Sequence, residues 1–238
     1  MAGASLALAY TEVLVPDGGA LTGVVRFTGK PVPPPAVSVK GDGEACPDRK
    51  PSEPLRLGPD RSVAGGVILV HGVTRGKRSQ LDVVLESREC AFTPSVTGTM
   101  AGARARVRNA DPILHSARGV QGKTTVFHVA IPGKEQEIDI TRRLTKPGVV
   151  RILTERDPQM SAWMVVHDNP YVAVTDERGA FRIDAIPPGV YRVTMWHQGF
   201  RRRGTDRTGR LLYEEPHTIA KEVAIAPRAT ATIAFELR

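Results

Sequence analysis

The sequence has few aromatic residues and only two cysteines. Phe, Trp and Tyr make up 5% of its 238 residues, so Val, Ile, Leu and Ala must supply most of the core. Two cysteines without a Cys-x-x-Cys pair cannot by themselves form a structural zinc site. His-Glu-x-x-His, Walker A and Gly-x-Ser-x-Gly motifs are absent, and no Ser-His-Asp arrangement is apparent. The sequence therefore predicts a non-catalytic protein.

Glycine and proline are plentiful, with 23 and 19 residues, and they divide the chain into short segments. The segment "ARARVRN" (103–109) alternates strictly, so Ala105 and Val107 should face a core and Arg106 and Arg108 the other side. That arginine row is either the solvent face of a sheet or a docking surface for an anionic partner. Roughly fourteen such segments at intervals of about 8–12 residues predict an all-β protein built from sandwiches.

The net charge of +8 favours an anionic partner. The charge is spread over most of the chain, which argues against nucleic acid. The densest cluster lies in the segment 199–217, which carries Arg201, Arg202, Arg203, Arg207 and Arg210. These arginines predict docking to an acidic protein, a membrane surface or a polysaccharide, because guanidinium groups recognise carboxylate and phosphate. The alternative is a mobile, solvated hairpin tip.

The two cysteines, Cys46 and Cys90, are either a disulfide or two unrelated buried thiols. A disulfide would close a loop of about 45 residues, worth roughly 4 kcal/mol in the chain-entropy model. It would also imply an oxidising compartment. The N-terminal "MAGASLALAY" resembles the end of a signal peptide, so residues 1–16 are interpreted as a signal remnant or a tail. Together these features predict a periplasmic or extracellular protein, with membrane association left open.

Two stretches resemble known families. The segment "TDERGAFRIDAIPPGVYRVTMWHQG" (175–199) resembles the carboxypeptidase regulatory-like domain, a small transthyretin-like or carbohydrate-binding-like β-sandwich. Upstream, "CAFTPSV" (90–96) and "VRNADPILHS" (107–116) resemble bacterial cupredoxin-like proteins of the plastocyanin-like or methylamine-utilisation type. The resemblance implies a cupredoxin-like sandwich over 17–160, followed by a regulatory-like sandwich over 161–238.

The cupredoxin resemblance also implies a set of copper ligands, most of which this sequence lacks. His115 and Met160 stand where the family has a histidine and a methionine. Ser95, Thr154 and Asp157 stand where it has histidine, cysteine and histidine. One imidazole and one thioether make a weak copper site without a thiolate. We therefore expect His115 and Met160 to be the remnant of a site, and no cofactor to be bound.

These features predict a non-catalytic structural or binding module, such as an accessory subunit of an envelope or membrane complex, that docks an anionic partner through basic loops. One alternative is a copper carrier or electron-transfer protein with an atypical site. Another is a carbohydrate-binding module, for which four Tyr and two Trp provide few stacking residues.

Overall fold

The structure is a computed structural model that describes residues 10–30, 32, 46, 54–79, 81–155 and 157–238. Within these ranges almost all regular structure is β-strand, which confirms the predicted all-β fold class. Residues 1–9 of the predicted signal remnant lie outside the described residues. None of the helical turns in the described ranges is long and apolar enough to cross a membrane.

The described residues form 22 strands and two short 3-10 turns, the turns being Pro59–Arg61 and Thr141–Arg143. The strands are β1 (Thr11–Glu12), β2 (Gly19–Phe27), β3 (Arg56–Leu57), β4 (Val63–Ala64), β5 (Val67–Val70), β6 (Arg75–Gly76), β7 (Val83–Arg88), β8 (Ala91–Thr93), β9 (Val96–Met100), β10 (Ala105–Asn109), β11 (His115–Gln121), β12 (Thr124–Ile131), β13 (Glu137–Asp139), β14 (Gly148–Leu153), β15 (Ser161–His167), β16 (Val172–Val174), β17 (Ala180–Ile186), β18 (Gly189–His197), β19 (Arg202–Thr205), β20 (Leu211–Tyr213), β21 (His217–Ile225) and β22 (Thr230–Leu237).

One β-sandwich is formed by the continuous segment 83–167 and corresponds to the predicted cupredoxin-like half. Its five-stranded sheet has the order β12-β11-β14-β15-β9, and its four-stranded sheet has the order β13-β10-β7-β8. Because alternate side chains of a strand point to opposite faces, each sheet turns one apolar row inward. Leu85, Val107 and Ile152 from these rows are fully buried in one common core.

The second β-sandwich is formed by the two ends of the described chain. A sheet of order β16-β5-β18-β21 packs on a sheet of order β17-β2-β22. Its core includes Leu21, Phe27, Val193 and Phe235, all fully buried or nearly so. β2 and β22 run parallel and pair along their whole length, from Ala20 with Thr230 onward. This pairing joins the first and last long strands into one sheet.

The strand pairing corrects the predicted domain boundaries, 17–160 and 161–238. β2 was assigned to the first sandwich, but it pairs with β17 and β22 of the second. β15 was assigned to the second sandwich, but it pairs with β14 and β9 of the first. The first sandwich is thus inserted between the strands of the second. Local alternation predicts that a segment is a strand, but it carries no information about a partner so distant in sequence.

The two sandwiches meet at a small apolar cluster. Trp163 and Val165 of β15 pack against Val67 of β5 and Trp196 of β18. The two indole rings lie with their centroids 5.5 Å apart. This contact sets the outer face of the five-stranded sheet against the second sandwich. It also fixes where the segment after β18 passes over that sheet.

Candidate functional site

The turn between β10 and β11 is organised by the side chain of Asn109. Its Oδ1 accepts hydrogen bonds from the backbone N–H of Asp111 at 2.9 Å and from Ser87 Oγ at 3.1 Å. Its Nδ2 donates to the carbonyls of Ile113 at 2.7 Å and Ile131 at 2.9 Å. A buried amide with this many partners fixes the turn, because each group left unpaired would carry a desolvation penalty. This hydrogen-bonded turn fixes the position of Asp111.

Asp111 stabilises the tight turn between β7 and β8. The turn residues Glu89 and Cys90 both have positive φ, 49° and 55°, a backbone conformation that non-glycine residues seldom adopt. The Asp111 carboxylate accepts the N–H of Glu89 at 2.6 Å and the N–H of Cys90 at 2.9 Å. These charge-assisted hydrogen bonds hold the turn in place.

His115 lies fully buried at the start of β11, where the sequence placed a candidate metal ligand. Its Nε2 donates to Asp111 Oδ2 at 2.8 Å and lies 4.0 Å from Cys90 Sγ. Its Nδ1 lies 4.0 Å from Asp157 Oδ2, and both of these buried atoms lack a hydrogen-bond partner within the described residues. Cys90 is joined to Cys46 by a disulfide, with the two Cα atoms 5.5 Å apart. We call Cys90, Asp111 and His115 the histidine cluster.

The other copper-ligand positions of the resemblance hold structural residues. Thr154 is buried and its Oγ1 lies 3.2 Å from Ser116 Oγ. Met160 is buried and packs in the core of the first sandwich. At the ligand positions implied by the resemblance the chain thus offers one imidazole, a carboxylate, hydroxyls and a thioether, and its cysteine sulfur is held in a disulfide. This donor set does not fit a cupredoxin copper centre, which needs a thiolate and two imidazoles.

The arginine-rich segment 199–217 forms a hairpin of β19 and β20 that packs back on the first sandwich. Arg210 is half-buried: its Nη2 donates to the carbonyl of Thr154 at 2.7 Å, and its Nη1 to that of Met160 at 3.4 Å. The guanidinium thus binds the loop that carries three of the ligand positions implied by the resemblance. The expectation of a wholly mobile tip is wrong for this half of the segment.

The remaining predicted arginines are divided between internal contacts and solvent. Arg201 lies 3.9 Å from Glu214 and 5.4 Å above the ring of Phe200. Arg202 is exposed and donates to Thr205 within its own hairpin at 3.0 Å. Arg203 and Arg207 are exposed, and neither side chain forms a hydrogen bond or an ion pair with the described residues. The five charges therefore do not form one surface.

Arg151 was not among the predicted site residues. It lies on the outer face of β14, with its guanidinium 5.3 Å from the centre of the Trp163 ring. Its Nε is buried and has no hydrogen-bond partner within the described residues. Burial lowers the pKa of this guanidinium, while nearby Asp206 and Tyr213 raise it. A cation is thus partly withdrawn from water with little compensation.

A cavity of about 140 Å³ lies between this sheet face and the hairpin. Its wall includes Arg151, Trp163, Arg210, Tyr213, Glu214 and Glu215. Burial lowers the pKa of Arg210, and the neighbouring charges of Arg151 and Arg118 lower it further. Glu214 is engaged elsewhere, since it accepts from His217 at 3.0 Å and from the backbone N–H of Arg201 at 3.2 Å. We call the wall formed by Arg151, Trp163, Arg210 and Tyr213 the arginine cleft.

Sequence reasoning missed the residues that matter most in both places. Asp111 stands four residues before His115 in a turn motif, which signals a turn but not three hydrogen bonds to one carboxylate. Arg151 is a single charge in the apolar strand "GVVRILT" (148–154), a pattern typical of an ordinary solvent-facing position. The sequence gives no local signal that a hairpin more than fifty residues later covers it.

Comparisons with known proteins give partial matches. A family model described as "Polysaccharide lyase family 4, domain II" matches residues 151–208. No curated protein matches the chain. A copper-containing nitrite reductase from Thermus scotoductus SA-01 is 23% identical with a TM-score of 0.33, over 42% of this chain and 24% of that one. A mutant amicyanin in the Cu(I) form is 15% identical with a TM-score of 0.32, over 42% of this chain and 98% of that one.

This chain thus spans about a quarter of the length of the nitrite reductase. Similarity at these TM-scores carries neither site residues nor activity from those proteins to this chain. The carboxypeptidase regulatory-like assignment of the second sandwich stays a prediction. The matched family segment runs from residue 151 to residue 208, so it includes Arg151 and Trp163 of the arginine cleft but not Arg210 and Tyr213.

Proposed function

We propose that this chain is a non-catalytic binding module that holds an acidic polysaccharide in the arginine cleft. The observation that carries the proposal is Arg151, a guanidinium withdrawn from water whose Nε has no partner in the described part of the chain. A partly buried guanidinium whose N–H group lacks a hydrogen-bond partner is unfavourable. A carboxylate bound in the cleft would remove that penalty and would gain charge-assisted hydrogen bonds.

Charge around the cleft favours an anion. Arg151 and Arg210 are both on the wall, and Arg118 is close enough to lower the pKa of Arg210. Asp206 is the acidic side chain that opposes both wall arginines, and its carboxylate already accepts the N–H of Thr208 at 2.8 Å. Glu214 and Glu215 also line the cavity, and Glu214 is already bound to His217. Three arginines at or near one wall would still attract a polyanion to the cleft.

The shape of the site favours a polysaccharide over a membrane or a protein. A flat lipid surface cannot enter a cleft between a sheet and a hairpin. Trp163 and Tyr213 line the cleft beside the two arginines. Aromatic rings pack on the apolar C–H faces of sugars while arginines bind their carboxylates. The family match, which is named for polysaccharide lyases, covers Arg151 and Trp163 of the cleft and supports this choice.

The disulfide supports a location outside the cytoplasm. Cys46 and Cys90 are both buried and bonded to each other, and disulfides persist mainly in oxidising compartments. We therefore place the protein in the periplasm or the extracellular space, as an accessory module beside a larger assembly. The exposed Arg202, Arg203 and Arg207 would draw a long polyanion toward the cleft before it binds.

The test is a binding titration with polygalacturonate, using its methyl ester as the neutral control. We expect polygalacturonate to bind, the ester to bind at least ten times more weakly, and the affinity to fall as salt is added. Arg151→Met, which keeps the aliphatic stem over Trp163, should weaken binding at least ten-fold. The matched control Arg26→Met, at an exposed position of β2 in the second sandwich, should change it less than two-fold.

Two results would contradict the proposal. Equal losses in the two variants would show that binding depends on overall charge and not on the cleft. Tighter binding to anionic vesicles or to polyglutamate than to polygalacturonate would assign the surface to a membrane or an acidic protein.

A further inference from the structure

Three metal-binding donors of the histidine cluster converge on one buried point beside the disulfide. Cys90 Sγ comes from the β7–β8 turn, Asp111 Oδ2 and His115 Nε2 come from the segment 111–115, and all three atoms lie within 4.8 Å of one another. The imidazole Nε2 is 2.8 Å from the carboxylate oxygen and 4.0 Å from the sulfur. All three residues are at least 96% buried. In the oxidised protein the sulfur is bonded to Cys46 and cannot act as a thiolate.

We propose that reduction of the Cys46–Cys90 disulfide opens a zinc site formed by Cys90, Asp111 and His115. Thiolate, imidazole and carboxylate are the ligands that Zn²⁺ uses in proteins. With Zn–S of about 2.3 Å and Zn–N of about 2.0 Å, tetrahedral coordination separates sulfur from nitrogen by about 3.6 Å. The observed 4.0 Å therefore needs only a small adjustment.

The second nitrogen of His115 supports this site. In the oxidised protein Nε2 donates its proton to Asp111, which leaves Nδ1 as a bare acceptor facing Asp157 Oδ2, another acceptor, at 4.0 Å. Both atoms are buried without partners among the described residues. Zinc on Nε2 would move the ring proton to Nδ1, where Asp157 can accept it. A carboxylate in this role is the usual second partner of a zinc-bound histidine.

The chemistry balances with a dithiol as reductant. The dithiol gives two electrons and two protons to the Sγ–Sγ bond, which breaks into the thiols of Cys46 and Cys90, and the dithiol becomes a disulfide. Zn²⁺ then displaces the proton of the Cys90 thiol, which is released to solvent. The ring proton of His115 changes nitrogen, so zinc binding releases one proton in total.

This site is distinct from the copper remnant implied by the sequence resemblance, because it uses Cys90 and Asp111 in place of Met160. It is also independent of the arginine cleft, since none of its three ligands lines that cavity. Failure of the anion-binding proposal would leave it unaffected.

The test compares Cys46→Ser with Cys46→Ser/Cys90→Ser, two variants that both lack the disulfide and differ only in the Cys90 thiol. Untagged, folded protein is titrated with Zn²⁺, and with Co²⁺ as a spectroscopic probe. We expect one zinc per chain in Cys46→Ser, with a thiolate-to-cobalt absorption band. We expect at least hundred-fold weaker binding and no such band in the double variant.

Equal zinc binding by the two variants, or none by either, would overturn the proposal. If Cys46→Ser does not fold, wild-type protein reduced with a phosphine in the presence of zinc gives the same decision. We then expect one zinc per reduced chain that is retained through desalting, and no zinc on the oxidised chain. Reduced protein that takes up no zinc would rule the site out.

Discussion

The histidine cluster and the arginine cleft both place polar groups out of water, but they treat them differently. In the cluster, Asp111 accepts the N–H groups of Glu89 and Cys90 and the proton of His115. In the cleft, the Nε of Arg151 has no partner in the described part of the chain. Satisfied buried groups rigidify a fold, whereas unsatisfied ones destabilise it unless a ligand completes them. The comparison assigns Asp111 to structure and the cleft to binding; within the cluster, His115 Nδ1 is the atom that has no hydrogen-bond partner among the described residues.

Arg210 connects the two regions. Its guanidinium donates to the carbonyls of Thr154 and Met160, in the loop that also carries Asp157. The hairpin of the second sandwich therefore rests on the segment where the resemblance implies copper ligands. This loop also supplies Pro158 and Gln159 to the wall of the cavity.

The largest expected effect is the loss of stability when Asp111 of the histidine cluster is replaced. Asp111→Ala removes the acceptor of two backbone N–H groups and of the His115 proton, so the free energy of unfolding should fall by about 4 kcal/mol. Asp157→Ala removes a carboxylate whose Oδ2 has no hydrogen bond in the described structure and should change it by less than about 1 kcal/mol. Urea unfolding of both variants is the measurement. Similar losses would show that the cluster does not depend on Asp111 in this way.

The next-largest expected effect is a loss of stability at low pH that leaves anion binding in the cleft unchanged. His197 lies behind the cleft wall, where its Nδ1 donates to the carbonyl of Gln198 at 2.7 Å. Burial lowers the pKa of His197 from 6.5 to about 4. The unfolded chain therefore takes up the proton first as the pH falls. The resulting stability is fully present above pH 6.5 and is lost between pH 6.5 and 4, by about 3 kcal/mol.

Urea unfolding at several pH values checks this expectation. The pH dependence should flatten in His197→Gln and persist in His128→Gln, where the histidine is exposed. Arginine keeps its charge over the same range, so polygalacturonate binding by the folded protein should hold while stability falls. A wild-type stability that does not change between pH 6.5 and 4 would count against a buried neutral His197.

Much of the fold could be predicted because alternation is a local property. The inward positions Ala105 and Val107 are fully buried, as the pattern of "ARARVRN" predicts. Whether the outward arginines of this strand are free for a partner depends on the residues of the neighbouring strands, which local alternation does not reveal. Arg106 donates to Glu137 at 2.5 Å and Arg108 pairs with Glu135, so these arginines are neutralised within the chain. A docking surface on this strand stays a prediction, with Arg106 and Arg108 already paired within the chain.

The candidate site was less predictable because it depends on contacts between distant segments. The dense cluster of Arg201 to Arg210 drew attention as a charge run, yet only Arg210 reaches the cleft wall. Arg151 resembled any outward residue of a strand. Arg151 is partly buried because the β19–β20 hairpin, which follows β18 of the second sandwich, packs over it. The second sandwich is itself formed by strands from both ends of the described chain.

The smallest expected effect tests the central claim, that the arginine cleft exists for binding and not for stability. The measurement is urea unfolding of Arg151→Met without ligand. Because the variant removes a half-buried cation and keeps its apolar stem, we expect an unfolding free energy equal to that of the wild type or up to about 1 kcal/mol higher. A loss of about 2 kcal/mol or more would show that Arg151 is a structural residue, and it would contradict the assignment of the arginine cleft to binding.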